Sequence, residues 1–552
     1  MRDLTNTQIL TLAKAAGLPI TQNDALEIVY QVNAILQTIE PIKLPETPII
    51  EPLPIDLVEY IDSDQQGKRD HIDTADLTDN YDTPTMSIVD LAQKIRAKEI
   101  SVTEVVSLFL DRIDRLNPQL IAFTDVYRQQ SLQAAAILEK EVSEGEIRGW
   151  LHGIPIGIKE QVDVEGFPTT GGSKVLENNI ATTDATVVSR LKDAGGIVIG
   201  KLNMSELAIA ETIEFPWGTP LNPWNTERTP GASSSGSAIA VATSMCGATI
   251  GGDTGGSIRM PAALCGTVGL RPTYGRVSRA GSLSACWSMD TLGPLTKTVM
   301  DCAVILEKIA GFDVRDRYSN KKAPLAYSGQ LKYSDKRIKN LRIGVITELI
   351  SPTSIDAEVI KSVQDACALF EQNGAVIHPI SVPIVQDAGI IHWTICFTEF
   401  AQVNKNLLKN HLQELTHMVK IAVATGSIIP GGAYYKALQL RELFRHTMLS
   451  LFKDVDLIVA PTMSAGAQPR NQTIHTTSKE EVLEGLHGAP KLTAPFNLAG
   501  LPALSIQCGM TFENLPIGLQ IVGKPFDELT VLQAGHLFES STKWHTLTPP
   551  IF

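Results

Sequence analysis

Two short stretches rich in glycine and serine could carry nucleophilic chemistry. The first is GGDTGGSIRMP, residues 251–261, in which Ser257 follows two glycines and stands shortly before an arginine. The second is GASSSGSA, residues 231–238, which contains Ser233. Neither stretch matches G-x-S-x-G, the pattern of the strand–turn–helix elbow that presents a serine nucleophile in α/β-hydrolases. If a serine here is a nucleophile, a different arrangement must activate it.

The glycines before Ser257 allow backbone N–H groups to converge on one point, because glycine adopts turn conformations that other residues avoid. Converging N–H groups stabilise the oxyanion of a tetrahedral intermediate. They would also suit a phosphate, but the GxxxxGK[ST] spacing is absent and no lysine follows the glycines. A glycine-rich turn without chemistry is the commoner case for an isolated stretch. Two serine-rich turns in tandem favour catalysis.

A serine nucleophile needs a base, and lysine is the better candidate in this sequence. The eleven histidines form no pairing motif, and His152 is interpreted as a packed turn residue. Lys159 stands at the end of LHGIPIGIK, surrounded in sequence by apolar residues. It could be a surface lysine after a strand. Burial beside this apolar run would instead lower its pKa until the neutral amine could act as a base near pH 7.

The elements that must position these residues follow an alternating pattern. Short β-branched runs alternate with helical patterns: GIVIGK near residue 200, LRIGVI near 345, DLIVAPT near 460, and PALSIQ and GLQIVG between 502 and 523. This alternation predicts an α/β fold with a mainly parallel or mixed twisted sheet covered by helices. No internal boundary is visible, so we expect one large domain over residues 87–552.

The N-terminal part of the chain differs from this body. Residues 1–40 contain two short amphipathic helical patterns, the first capped by Thr5 and the second beginning near Asn23. Such a pair buries too little apolar surface to fold alone, so we expect it to dock on the body. Residues 41–86 combine spaced prolines with dispersed carboxylates, which predicts an extended linker.

Composition excludes several classes of function. The net charge of −13 is mostly that of residues 1–86, where 15 acidic and 5 basic side chains give −10 and leave −3 for the rest. The sequence contains no run of basic residues of the kind that binds nucleic acid. Seven scattered cysteines without a CxxC pair argue against a disulfide framework, and no metal or other cofactor is expected. No signal pattern or long apolar run is visible, so we expect a cytoplasmic protein that does not bind membranes.

Three motifs together resemble the amidase signature family. They are GIPIGIKE, TPGASSSGSA and the long stretch that begins GGDTGGSIRMPAALCG. They stand in the family's order, with Lys159 located 74 residues before Ser233 and Ser233 located 24 residues before Ser257. The resemblance spans roughly residues 87–552. It implies a large single-domain amidase fold and an amidohydrolase that cuts linear amide C–N bonds.

The resemblance also implies roles for individual residues. Ser257 would be the nucleophile that forms the acyl-enzyme, Ser233 would bridge it to the base after a cis Ala232–Ser233 peptide bond, and Lys159 would be that base. The remaining site residues follow from the same resemblance: the oxyanion hole would use N–H groups of Thr254, Gly255 and Gly256, together with that of Ser257, while Asp253 and Arg259 would brace the turn.

The match has departures, because the family's GGSSGGS appears here as GASSSGS. Ser235 replaces a glycine and must avoid a strongly positive φ. Two functions are compatible with the resemblance. The favoured one is hydrolysis of a small carboxamide or ureido substrate with release of ammonia or an amine. The alternative is the glutaminase (A-type) component of a tRNA amidotransferase, which passes ammonia to a partner.

The N-terminal segment and one loop bear on this choice. Residues 1–65 resemble the small helical subunits that accompany the amidotransferase and carboxybiuret-hydrolase enzymes. Residues 488–494 hold no acidic side chain for the ammonium group of glutamine, where amidotransferases place one. Both observations favour the self-sufficient hydrolase. The expected partner is a small amide substrate, with no direct nucleic-acid contact and with a homodimer as one possible assembly.

Overall fold

The computed structural model describes residues 3–44, 85–209, 214–470 and 475–551. Among these residues no helix is both long and apolar enough to cross a membrane. The predicted linker, residues 41–86, lies almost entirely outside the described residues.

The core of the molecule is one mixed sheet of eleven strands, in the order β1-β3-β2-β4-β6-β5-β10-β11-β9-β7-β8. The strands are β1 (Phe123–Val126), β2 (Pro155–Lys159), β3 (Ile197–Leu202), β4 (Ala248–Asp253), β5 (Val268–Arg271), β6 (Thr291–Thr296), β7 (Arg342–Ile346), β8 (Val376–Ile380), β9 (Leu457–Pro461), β10 (Ala503–Met510) and β11 (Pro516–Val522).

Helices cover the sheet. Within the described residues they are α1 (Asn6–Ala15), α2 (Gln22–Ile39), α3 (Ile88–Arg96), α4 (Val102–Leu120), α5 (Arg128–Glu144), α6 (Thr186–Asp193), α7 (Ser235–Ala242), α8 (Arg259–Cys265), α9 (Val299–Ile309), α10 (Tyr327–Gln330), α11 (Ser334–Ile338), α12 (Ala357–Gln372), α13 (Ala388–Val403), α14 (Lys405–His411), α15 (His417–Ile428), α16 (Gly431–Leu451), α17 (Lys479–His487), α18 (Ala494–Leu498) and α19 (Glu528–Ser540).

The register of two neighbouring strands places the chemistry. Strands β2 and β4 are parallel, with Ile158 opposite Ile250. Because the carboxyl ends of parallel strands meet at one edge of a sheet, Lys159 at the end of β2 lies beside the end of β4. The chain leaves β4 at Asp253 and enters the turn that carries Ser257. Strand pairing alone therefore brings the lysine to the glycine-rich turn.

The predicted α/β fold is confirmed, since every β-branched run singled out in the sequence forms a strand of this sheet. Strands β2, β3 and β4 form a parallel group, and β7, β8 and β9 form another. Antiparallel pairs join the two groups through β6, β5, β10 and β11. The sheet is mixed because antiparallel neighbours such as β10 and β11 lie between the two parallel groups.

Both predicted N-terminal helices are present and dock on the body. Thr5 and Thr21 form capping boxes at the starts of α1 and α2. The apolar face of α2 is buried against α13, α15, α16 and α17. A buried ion pair between Asp24 and Lys420, 2.8 Å long, adds a polar tie to α15. We call residues 3–44 the head and residues 85–551 the body.

Candidate active site

Lys159 and Ser233 lie in direct contact inside the molecule. Lys159 Nζ is 2.8 Å from Ser233 Oγ and 3.4 Å from the carbonyl oxygen of Gly252. The lysine is fully buried and Ser233 is nearly so. Burial lowers the pKa of the Lys159 ammonium from its ordinary value to about 7, although the charges of Asp253 and Asp290 act in the opposite direction. A neutral amine is therefore available near pH 7.

Ser257 lies on the neighbouring turn, joined to the second serine stretch by main-chain hydrogen bonding. The N–H of Ser234 donates to the carbonyl oxygen of Ser257 over 3.2 Å, and the Ser234 hydroxyl donates to Gly252 O over the same distance. Ser257 is 9% exposed, so it is largely buried. The Ala232–Ser233 peptide bond is cis. Ser235 has no positive φ and begins α7, so its replacement of a glycine is accommodated.

The N–H groups of the turn have different partners. The Gly256 N–H donates to Asp253 Oδ1 over 3.0 Å. This partner differs from the oxyanion that the sequence analysis assigned to it. Within the described residues, the N–H groups of Gly255 and Ser257 take part in no hydrogen bond. Gly256 has φ +127°, a conformation that favours glycine. The turn therefore keeps donors that are free to bind a ligand oxygen.

A buried charge cluster centred on Asp253 holds the turn. Its carboxylate accepts from Arg259 Nε and Nη2 at 3.0 Å, from Arg271 Nη1 at 3.2 Å and from Asn497 Nδ2 at 2.7 Å. It also accepts from the N–H of Ile258. Burial alone would raise the pKa of the Asp253 carboxyl, but the charges of the two arginines outweigh it and hold that pKa well below its usual range. Asp253 is therefore ionised.

Two further side chains contact the turn and carry no sequence motif. His392, on α13, is buried, and its Nε2 donates to the carbonyl oxygen of Thr254 over 3.2 Å. Burial lowers the pKa of His392 to about 4, so the imidazole is neutral. Thr493 donates its hydroxyl to the carbonyl oxygen of Gly255. A side chain on Gly255 would collide with His392. His392 and Thr493 therefore hold the backbone of the turn from outside the sequence motifs.

His152, the histidine weighed as an alternative base, lies elsewhere. It is buried, its Nε2 contacts the carbonyl oxygen of Leu138 at 3.1 Å, and its Nδ1 accepts from the N–H of Arg148 at 3.2 Å. Both ring nitrogens thus have backbone partners near α5. The interpretation of His152 as a packed turn residue agrees with this placement.

A cavity of about 240 Å³ is connected to the turn through two of its wall residues, Gln161 and Asp290. Gln161 forms one wall, and its side chain packs against Gly252. Asp290 forms another, and it accepts a 2.6 Å hydrogen bond from the Thr254 hydroxyl. The cavity is otherwise lined by three arginines among other residues: Arg279, Arg315 and Arg317. Within the described residues, Gln161 Oε1 is buried and has no hydrogen-bond partner. Of the three arginines, Arg279 is paired with Asp316 and Arg315 with Asp313.

The Asp253 cluster gives a prediction about stability. Asp253→Asn keeps the side-chain volume but leaves Arg259 and Arg271 buried without an anion, which should cost about 3–5 kcal/mol of unfolding free energy. Denaturant unfolding followed by fluorescence measures this cost. The control is Asp365→Asn, which removes an exposed partner of Lys361 and should change stability little. Equal stability of the Asp253→Asn protein and its parent would contradict the cluster's role.

The chain is similar to proteins of one family. Residues 104–532 match the model of the Amidase family. The chain is also similar to the A component of the glutamyl-tRNA(Gln) amidotransferase of Trichormus variabilis. The two are 37% identical over 492 residues, which cover 84% of this chain and 99% of that one.

Two solved structures show the same architecture. One, described as a vestigial protein complex that reveals the evolutionary origins of an s-triazine catabolic enzyme, superposes with a TM-score of 0.76 at 28% identity, covering 83% of this chain and 98% of that one. The native peptide amidase of Stenotrophomonas maltophilia superposes with a TM-score of 0.71 at 28% identity, covering 83% and 97%. The chain therefore belongs to the amidase family and is a hydrolase that acts on amide C–N bonds.

Proposed function

We propose that Ser257 attacks the carbonyl of a primary carboxamide and forms an acyl-enzyme, with Ser233 and Lys159 as its proton relay. The contact of 2.8 Å between Lys159 Nζ and Ser233 Oγ, fully buried, carries this proposal. A neutral amine at this position can take the proton that Ser257 loses and later give it to the leaving ammonia. Water then hydrolyses the acyl-enzyme by the reverse use of the same relay.

The turn supplies the charge stabilisation in this proposal. The free N–H groups of Gly255 and Ser257, with that of Thr254, would donate to the oxyanion of the tetrahedral intermediate. Gly256 would serve the turn indirectly, because its N–H holds the Asp253 carboxylate. Asp253 and Arg259 would fix the positions of these donors without contacting substrate. Gln161 lines the cavity, and its side-chain amide would hydrogen-bond to the carboxamide.

The curated relatives favour glutamine as the amide donor. The similarity to the A component of an amidotransferase extends over 99% of that relative, so the likeness includes more than the serine and lysine motifs. Arg317 on the cavity wall suits the α-carboxylate of an amino acid. In this function the chain would be the glutaminase component of a larger assembly and would pass ammonia to a partner.

A second function, hydrolysis of a small carboxamide or ureido acid, has specific support. Residues 488–494 contain no acidic side chain, and the two acidic residues of the cavity wall are engaged, Asp316 with Arg279 and Asp290 with Thr254. Both carboxylates of this wall are therefore already engaged, which argues against an ammonium group bound there. A carboxylate-bearing amide without an ammonium group would fit the same arginine. The likeness to a complex related to s-triazine catabolism supports this choice as well.

Ammonia release by the purified chain separates these functions. We expect release from glutamine if the first function is right, and preferred release from ureido acids or simple carboxamides if the second is right. The matched control is the Ser257→Ala protein, which should release none above background. Ammonia release that is unchanged in that variant, or absent with every substrate, would contradict the proposed chemistry.

A further inference from the structure

We propose that Glu27, His417 and His475 form a binding site for one transition-metal ion, zinc in the first place, where the head meets the body. We call these three residues the interface triad. The site is separate from the proposed chemistry of Ser257 and does not depend on it. One ligand comes from α2 of the head, one from the first residue of α15, and one from the segment that precedes α17.

The distances within the interface triad are close to those of a zinc site. His417 Nε2 lies 3.1 Å from Glu27 Oε1 and 3.0 Å from Oε2, and His475 Nδ1 lies 3.1 Å from Oε1. One ligand atom from each residue lies within 4.8 Å of the other two. Zinc at about 2.0–2.1 Å from tetrahedral ligands separates them by roughly 3.3 Å. The two Glu27–histidine distances are close to this separation, and the two imidazole nitrogens, which lie within 4.8 Å of each other, would move together as the ion binds.

The ligand set also fits zinc chemically. Two imidazoles and one carboxylate are a set that holds zinc in proteins, with a fourth position left for water. Glu27 is buried and His417 is half-buried, while His475 is exposed, so the ion would be reached from the side of His475. The N–H of Thr476 donates to Glu27 Oε2 and orients the carboxylate. This contact resembles the outer hydrogen bonds that position metal ligands.

The interface triad differs from the neighbouring ion pair of α2. Asp24 pairs with one cation, Lys420, whereas the carboxylate of Glu27 contacts two imidazoles. Here two imidazole rings, with centroids 4.4 Å apart and planes at 61°, direct ring nitrogens at one carboxylate. Two imidazoles and a carboxylate that converge from three separate segments would be able to surround a shared ion.

Metal binding would fasten the head to the body. The three ligands come from segments far apart in sequence, so the ion would hold α2 against α15 and the segment before α17. This origin also explains why no metal was expected from the sequence, since residues 27, 417 and 475 show no ligand spacing. Because the ion would bind the docked head and not a detached one, binding should stabilise docking.

Titration of the full chain with zinc chloride after chelator treatment tests the proposal. Calorimetry should show one tight site per chain. Loss of a residue that only hydrogen-bonds to a metal ligand lowers metal affinity about 10- to 100-fold. His475→Ala removes a ligand itself, so it should lower zinc affinity by at least about 100-fold. His475 is exposed, so this variant should fold normally. Cobalt in place of zinc should give tetrahedral visible absorption in the parent only.

A second variant and a control complete the test. Glu27→Gln should also lose the site, and zinc should slow hydrogen exchange of α2 in the parent but in neither variant. The control is His446→Ala, which leaves the interface triad intact and should bind zinc like the parent. His446 lies 3.0 Å from Glu442, outside the triad. Absence of tight zinc binding by the parent would overturn the proposal. So would binding that His475→Ala and Glu27→Gln leave unchanged.

Discussion

Ser257→Ala is expected to lower kcat by ~10⁴-fold or more and to abolish labelling by a serine-reactive phosphonate. The variant removes the atom that would form the acyl-enzyme, while the Lys159–Ser233 contact and the free N–H groups of the turn remain. Alanine keeps the Cβ of Ser257 and removes only its hydroxyl, so the fold should be preserved. Steady-state ammonia release and mass spectrometry of the labelled peptide measure the two effects.

The neighbouring serine provides the matched control. The Ser234 hydroxyl donates to the carbonyl oxygen of Gly252, so it is engaged in the structure of the turn. Ser234→Ala should therefore still accept the phosphonate on Ser257. A label found on Ser233 or Ser234 in the parent would contradict the assignment of the nucleophile. Because groups that act as a unit are not additive, Ser257→Ala combined with Lys159→Met should be no slower than Ser257→Ala alone.

The sequence predicted the parts of the fold that depend on local pattern. β-Branched runs such as 457–461 form strands, because side chains buried on both faces of a sheet leave a continuous apolar run. The head helices were visible from Thr5 and from apolar residues at helical spacing. Their boundaries were less well defined: the second was expected from Asn23, whereas α2 begins at Gln22 after the cap Thr21.

The sequence did not predict residues that reach the site from distant segments. His392 and Thr493 contact the glycine-rich turn from 138 and 238 positions away along the chain. Each is an ordinary helix or loop residue in its own surroundings, so no spacing distinguishes it. Asn497 joins the Asp253 cluster in the same way. Lys159 was found because its apolar neighbours indicate burial, which is a local property, whereas its partner Ser233 was assigned through the family resemblance.

Lys159→Met is expected to lower kcat by ~10²–10⁴-fold or more while leaving the protein folded. Methionine has nearly the same length and no charge, so it fills the buried site of a neutral amine without placing an unpaired cation there. The loss follows because Lys159 is the side-chain partner of Ser233 Oγ among the described residues, and loss of a general base typically costs this much. Lys159→Arg should be as inactive, since a guanidinium cannot accept a proton.

The pH dependence of the parent tests the same group independently of any variant. The pKa of Lys159 is lowered to about 7, so the amine is protonated below that pH and neutral above it. Because only the neutral form is a base, kcat/KM should rise with pH through about 7 and then level off. His392 is a second neutral base near the turn, and its imidazole contacts Thr254 O. Because His392 only positions the turn, the His392→Gln protein should show the same rise of kcat/KM with pH. A folded Lys159→Met enzyme with near-normal turnover, or a rise that disappears only in His392→Gln, would contradict the lysine mechanism.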